Sequence, residues 1–211
     1  MNYKSPNFSI RGGFTFIELM VSITIITVIT GIVFANQGNF GGSILITNLG
    51  YDVALSIRQA QVYGISVKQA SDVCVGATET NRFQCAYGIH FENQGYYILF
   101  QDLDGSKSYN AGSDNGTKCN VNTECVSFFR IEKGNIISGF CADTHCAGAG
   151  GNGQIDALDI LFTRPNPEPI VKGFLSSVPV GTPVSATVTV ASPKGASKTV
   201  TVSAVGQISI Q

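Results

Sequence analysis

Two kinds of apolar pattern divide the chain. From Phe14 to Ala35 the apolar residues run all the way round a helical wheel, and a single acid, Glu18, interrupts them. At 1.5 Å per residue this stretch would make a helix of about 33 Å, against a hydrocarbon core of about 30 Å. An all-round apolar helix of that length reads as a membrane span rather than a core helix. "NQGNFGGS" follows at 36–43, and its glycines are expected to break the helix over 36–42. From Ser43 the pattern becomes amphipathic. Ile46, Leu49, Val53, Ile57, Ala60 and Gly64 step by three and four residues along one face. Asn48, Asp52, Ser56, Arg58, Gln59 and Gln61 are assigned to the opposite, solvent-facing side.

From Cys85 the pattern turns to strands. "AYGIHFE" and "YYILFQD" flank "NQG", and "VSFFRIE" and "NIISGF" flank "KG"; both read as hairpins. "LDILFTR" is expected to end at "PNPEP", whose prolines stop pairing. "SATVTVA", "KTVTVSA" and "GQISI" complete the set. The fold class is therefore α+β. A transmembrane helix continues, with a break, into an amphipathic helix packed on an antiparallel β-sheet head. The expected organisation is a short N-terminal segment at 1–13, the membrane helix at 14–35, the break at 36–42 and the head at 43–211.

Charge gives the orientation. The first 13 residues carry Lys4 and Arg11 and no acid, so that end stays in the cytoplasm and the head is exported. Charged residues are only 13% and the net charge is −1; without residues 1–13 the chain would be more acidic. Arg164, Lys172, Lys194 and Lys198 are dispersed through the C-terminal region, which argues against a nucleic-acid surface. The two histidines, His90 and His145, belong to no H-E-x-x-H, and there is neither a G-x-S-x-G nor a phosphate loop. No enzyme is expected.

Glu18 needs a reason, because an acid inside a membrane segment marks a functional site by default. "GGFTFIELMVSI" resembles the processing site of type IV pilins and of the pseudopilins of type II secretion. Gly13, Phe14, Thr15, Ile17, Glu18 and Leu19 carry the resemblance. It implies that 1–13 is a leader, which prepilin peptidase removes by cutting between Gly13 and Phe14, and that the new amine of Phe14 is methylated. It also implies that Glu18 neutralises such an amine on a neighbouring subunit during filament assembly. A secretory signal peptide cut after Ala35 is the rival, but the apolar run exceeds the usual length of about 7–15 residues and contains an acid. "NLGYDVALSIRQAQVYGISVK", "LDILFTRPNP" and "VTVSAVGQISI" are similar to the H-type group of minor pilins. The resemblance implies a minor pilin or pseudopilin at the inner membrane, later in a pilus or pseudopilus. Its implied partners are prepilin peptidase, other pilin subunits and, indirectly, the assembly ATPase and platform protein. A tip adhesin, or a ligand- or DNA-binding minor pilin, is the alternative.

Six cysteines suggest an oxidising compartment, and their separations suggest three local loops: Cys74–Cys85, Cys119–Cys125 and Cys141–Cys146. A zinc site from the last four cysteines with His145 is the competing reading; its spacings are wider than those of zinc motifs. "QDLDGSKSYNAGSDNG" places Asp102, Asp104 and Asp114 in a glycine-rich loop, where calcium is the candidate ion although the EF-hand template fails. No other cofactor is expected. "GAGGNGQIDALD" reads as a glycine loop entering a strand, with Asp159 facing solvent.

Overall fold

A computed structural model describes residues 12–66, 68–72, 74, 83–92, 95–110, 119–120, 123–148 and 155–211. Asp114 and the leader as far as Arg11 lie outside them. The described elements are one helix, α1 (Phe16–Ile65), and eleven strands: β1 (Tyr87–Phe91), β2 (Tyr96–Gln101), β3 (Cys125–Arg130), β4 (Ile136–Ala142), β5 (His145–Gly148), β6 (Ala157–Thr163), β7 (Asn166–Leu175), β8 (Val178–Val180), β9 (Ala186–Ala191), β10 (Ser197–Val202) and β11 (Ile208–Ile210). The arrangement is α+β with antiparallel sheets.

The expected break at 36–42 is absent, because residues 36–42 are helical within α1. Glycine weakens a helix by about 1 kcal/mol relative to alanine, but continuing an existing helix needs no new nucleus. What changes there is packing. The chain divides into two compact units, Met1–Gly41 and Gly42–Gln211. In the first, Phe16–Ala35 has a mean hydropathy of 2.3 and buries none of its surface against the chain. Ser22, Thr24 and Thr27 donate their hydroxyls to the carbonyls of Glu18, Met20 and Ile23 at 2.7–2.8 Å, so these polar groups are satisfied within the helix.

In the second unit, two antiparallel sheets share a core with α1. Sheet A has the order β3-β2-β1-β6-β7-β8 and sheet B the order β11-β10-β9-β4-β5. Val53, Ile57 and Ala60 are wholly buried among Ile89, Leu99 and Ile160 of sheet A and Val188, Val190 and Val200 of sheet B. Gly64 brings α1 against β6: a Cβ there would lie 2.2 Å from the Phe162 carbonyl oxygen.

Several expectations change. Ser56 and Gln61 are buried rather than solvent-facing. The Ser56 hydroxyl lies 3.2 Å from the Tyr97 hydroxyl, and the Gln61 amide donates to the carbonyls of Pro167 and Gly206. Tyr51, Leu55 and Val62 are exposed instead. "VSFFRIE" and "NIISGF" do not form a hairpin, because β3 lies in sheet A and β4 in sheet B. The proline-rich segment does not stop pairing; Thr163 pairs with Asn166 at the start of β7. Pro167 and Pro169 are tolerated because β8 pairs only with Gly173–Leu175, so among the described residues no strand pairs with the outer edge of β7 at the prolines.

Ile57→Ala should destabilise the head by about 2–5 kcal/mol, while Leu55→Ala, on the exposed side, should fall within about 0.5 kcal/mol of wild type. Gly64→Ala should destabilise despite its better helix propensity, because its methyl meets backbone. Urea midpoints measure all three, and a stabilised Gly64→Ala would contradict the close approach.

Candidate functional site

At the N-terminal end, Gly12–Thr15 is non-helical and α1 starts at Phe16. Thr15 caps the helix: its side-chain oxygen accepts the Glu18 N–H at 3.3 Å, and its carbonyl accepts the Leu19 N–H at 3.1 Å. Glu18 is therefore the third residue of the helix, in the first turn, where the partial positive charge of the unpaired N–H groups favours a carboxylate. Thr15 and Glu18 have the spacing of a capping box, a signal that was present in the sequence and was read only as part of the processing site. Phe14 is 80% exposed. Among the described residues nothing lies within 4 Å of a Cβ built on Gly12 or Gly13, so their packing does not require glycine at either position.

In the head, residues 102–110 after β2 lie on the face of sheet A that points away from α1. There Tyr109 packs on Phe100 and on His90, with ring centroids 5.4 and 4.8 Å apart. Main-chain N–H groups of this connection are held by carboxylates. Asp102 accepts from Gly105 and Lys107, Asp104 from Ser106, and Glu124 from Leu103 and Asn110. The second oxygen of Asp104 accepts from the Asn110 side chain. Ligand atoms of Asp102, Asp104 and Glu124 all lie within 4.8 Å of one another, so this trio has the donor set for a hard cation. Glu124 was missed in the sequence because it reaches the loop from the foot of β3, with no local spacing to announce it.

Asp159 is the second anchor and does not face solvent; it is 1% exposed. It pairs across the sheet with His90. Its Oδ1 lies 2.6 Å from His90 Nδ1, and its Oδ2 accepts the Tyr109 N–H at 2.9 Å. His90 Nε2 is 3.5 Å from Glu92. Three disulfides tie the connections: Cys74–Cys85, Cys119–Cys125 and Cys141–Cys146. The last joins directly opposed residues of β4 and β5. With all four cysteines bonded in pairs, the zinc reading has no thiolates to use.

Two groups in this region are strongly perturbed. Burial would lower the His90 pKa, but hydrogen bonds to Asp159 and Glu92 and the charges of both carboxylates outweigh it, and the pKa rises to about 9. Burial raises Glu124 to about 7, with help from the charges of Asp104 and Asp102 and against its two main-chain hydrogen bonds. The protonated form is favoured in the fold in both cases. The stability from Glu124 is complete below about pH 4.5 and is lost as pH rises through about 7. That from His90 is complete below about pH 6.5 and is lost as pH rises through about 9. Urea midpoints should therefore fall between pH 5 and pH 9. Glu124→Gln should flatten the lower half of that decline and Asp159→Asn the upper half; profiles unchanged by either substitution would contradict the assignment.

Residues 9–34 match the family model of the prokaryotic N-terminal methylation motif. No curated protein and no solved structure matches the chain. With that motif leading into an exposed apolar helix and an α+β head behind it, the chain is consistent with a type IV pilin-like protein.

Proposed function

We propose that the chain is a minor pilin or pseudopilin, assembled into a type IV pilus or a type II secretion pseudopilus. Processing at the methylation motif follows from the match; the subunit role is our reading. The observation that carries it is the placement of Glu18 inside that motif, in the first turn of a helix whose Phe16–Ala35 stretch has no buried residue. Hydrolysis between Gly13 and Phe14 leaves a carboxylate on Gly13 and an ammonium on Phe14. In a bundle of like helices, the Glu18 carboxylate of one subunit neutralises the amine of another, and the neutral pair is far less costly in lipid than either charge alone.

The head offers a matching surface for neighbours. Ile44, Tyr51, Leu55 and Val62 are exposed on α1 at spacings of seven, four and seven, so they form a stripe suited to packing against another helix. The glycine before the scissile bond, unneeded by this chain's own packing, suits a protease that draws the backbone in closely. The inner membrane is then the site of insertion and processing. A second reading, a ligand-binding tip subunit, draws on the disulfide-pinned loops of the head; loop swaps that alter attachment while filaments still form would favour it.

Incubation of the membrane-inserted precursor with prepilin peptidase should remove the segment ending at Gly13 and leave Phe14 as the first residue, read by mass spectrometry. An uncut precursor, or a mature chain starting at Asn36, would refute the proposal. Glu18→Ala should insert and be cut normally yet enter filaments at least tenfold less well, and normal incorporation would remove its assigned role.

A further inference from the structure

Sheet A loses its outer strand part-way along β7. The Phe174 carbonyl accepts the Asp156 N–H at 2.7 Å, so Phe174 turns its main-chain groups towards β6. Successive residues of a strand present these groups to opposite sides, so those of Val171, Gly173 and Leu175 point the other way. There β8 meets Gly173–Leu175 and goes no further. In the same register Thr182 would stand opposite Val171, but β8 ends at Val180 and Gly181 bends the chain at a φ of +66°. Nearer the start of β7, the Pro167 carbonyl is taken by the Gln61 amide. Between these two covered points, no hydrogen bond from a described residue reaches the outward N–H and C=O of Val171.

Val171 lines a groove of about 600 Å³ between the β7 edge and residues 181–184. Its side chain packs in the core, so the part of Val171 that meets the groove is main chain. Pro179, Pro183, Val184 and Val205 supply apolar walls, and Val184 and Val205 are 58% and 69% exposed. Asp143 accepts the Val184 and Ser185 N–H groups at 3.0 and 2.9 Å, so the wall facing β7 is held by the fold itself. The surface is elongated, because Val205 also borders a second groove, of about 660 Å³, beside Val62 and Ile65 of α1.

These features select the occupant. Nearly all main-chain groups at such sheltered positions are paired in native proteins. Water would satisfy Val171 but leave the valines wet, and a compact apolar molecule would do the reverse. An extended polypeptide does both, offering a donor and an acceptor along one edge and side chains that cover the walls. We propose that this edge of sheet A binds an extended segment of another polypeptide as an added strand, pairing with β7 at Val171 and laying apolar side chains over Val184 and Val205. Every group in the site belongs to one head, so it does not depend on assembly into a filament.

Full-length protein in detergent micelles would be titrated into a fluorescent synthetic peptide of alternating valine and threonine with a lysine at each end, followed by anisotropy. A copy with every backbone nitrogen methylated is the control, since it keeps the side chains and loses the donors. Saturable binding of the first peptide is expected, with the methylated copy at least tenfold weaker. Hydrogen exchange at the Val171 amide, read by NMR, should slow at least tenfold when the peptide is bound. Val205→Glu should weaken binding at least tenfold and leave the urea midpoint of the free protein unchanged, because the side chain it replaces is exposed. Self-association of the chain that the peptide competes away would support the proposal and make a second copy the partner. Three outcomes would overturn it: no saturable binding, equal binding of the two peptides, which would mean apolar cover without strand pairing, or exchange at Val171 that the peptide leaves unchanged.

Discussion

The head depends on one buried helix face. Val53, Ile57 and Ala60 have no exposed surface, and the strands that cover them belong to both sheets, so neither sheet completes its core without the helix. Gly64 sets how close the helix comes to β6. Gly173 does the same where the sheets meet: a Cβ there would lie 3.0 Å from the Ala142 Cβ. Polar groups on the buried face are tolerated because each is answered, Ser56 by Tyr97 and Gln61 by two carbonyls.

Once the helix occupies one side of sheet A, the other side needs a different cover. It receives irregular chain, whose N–H groups cannot pair as a strand's do. Buried carboxylates accept them instead. Asp159 carries this burden beside His90, which matches its charge. Glu124 has no cation beside it among the described residues; burial first, and then the charges of Asp104 and Asp102, raise its pKa to about 7. Two similar tasks are thus met by groups in opposite electrostatic settings.

Much of this was legible in the sequence, and the limits have physical causes. The core face Ile46–Gly64 was readable because a helix maps linear spacing onto one side. Ser56 and Gln61 were misplaced because composition cannot show that a polar side chain has a buried partner about 40 or 100 residues away. The individual strands were readable from alternation, but the partition of β3 and β4 between sheets was not, since a short glycine turn serves a hairpin and a change of sheet equally well. The processing segment was the most legible part: its residues act locally, in order, on one helix end. Asp159 and Glu124 were the least legible, because each works through a contact that only the folded sheet creates.

Thr15 has a consequence for the order of events at the membrane. A helix that is not stopped tends to lengthen by one bond per residue, and here it would wind backwards over the bond between Gly13 and Phe14. By accepting the Glu18 N–H, the threonine acts as a winding stop, and the two glycines before it add a poor substrate for winding. The bond between Gly13 and Phe14, where we propose the cut, is therefore kept unwound by the same residue that starts the helix. A protease acting at the proposed cut would meet extended chain and would have no helix to melt first.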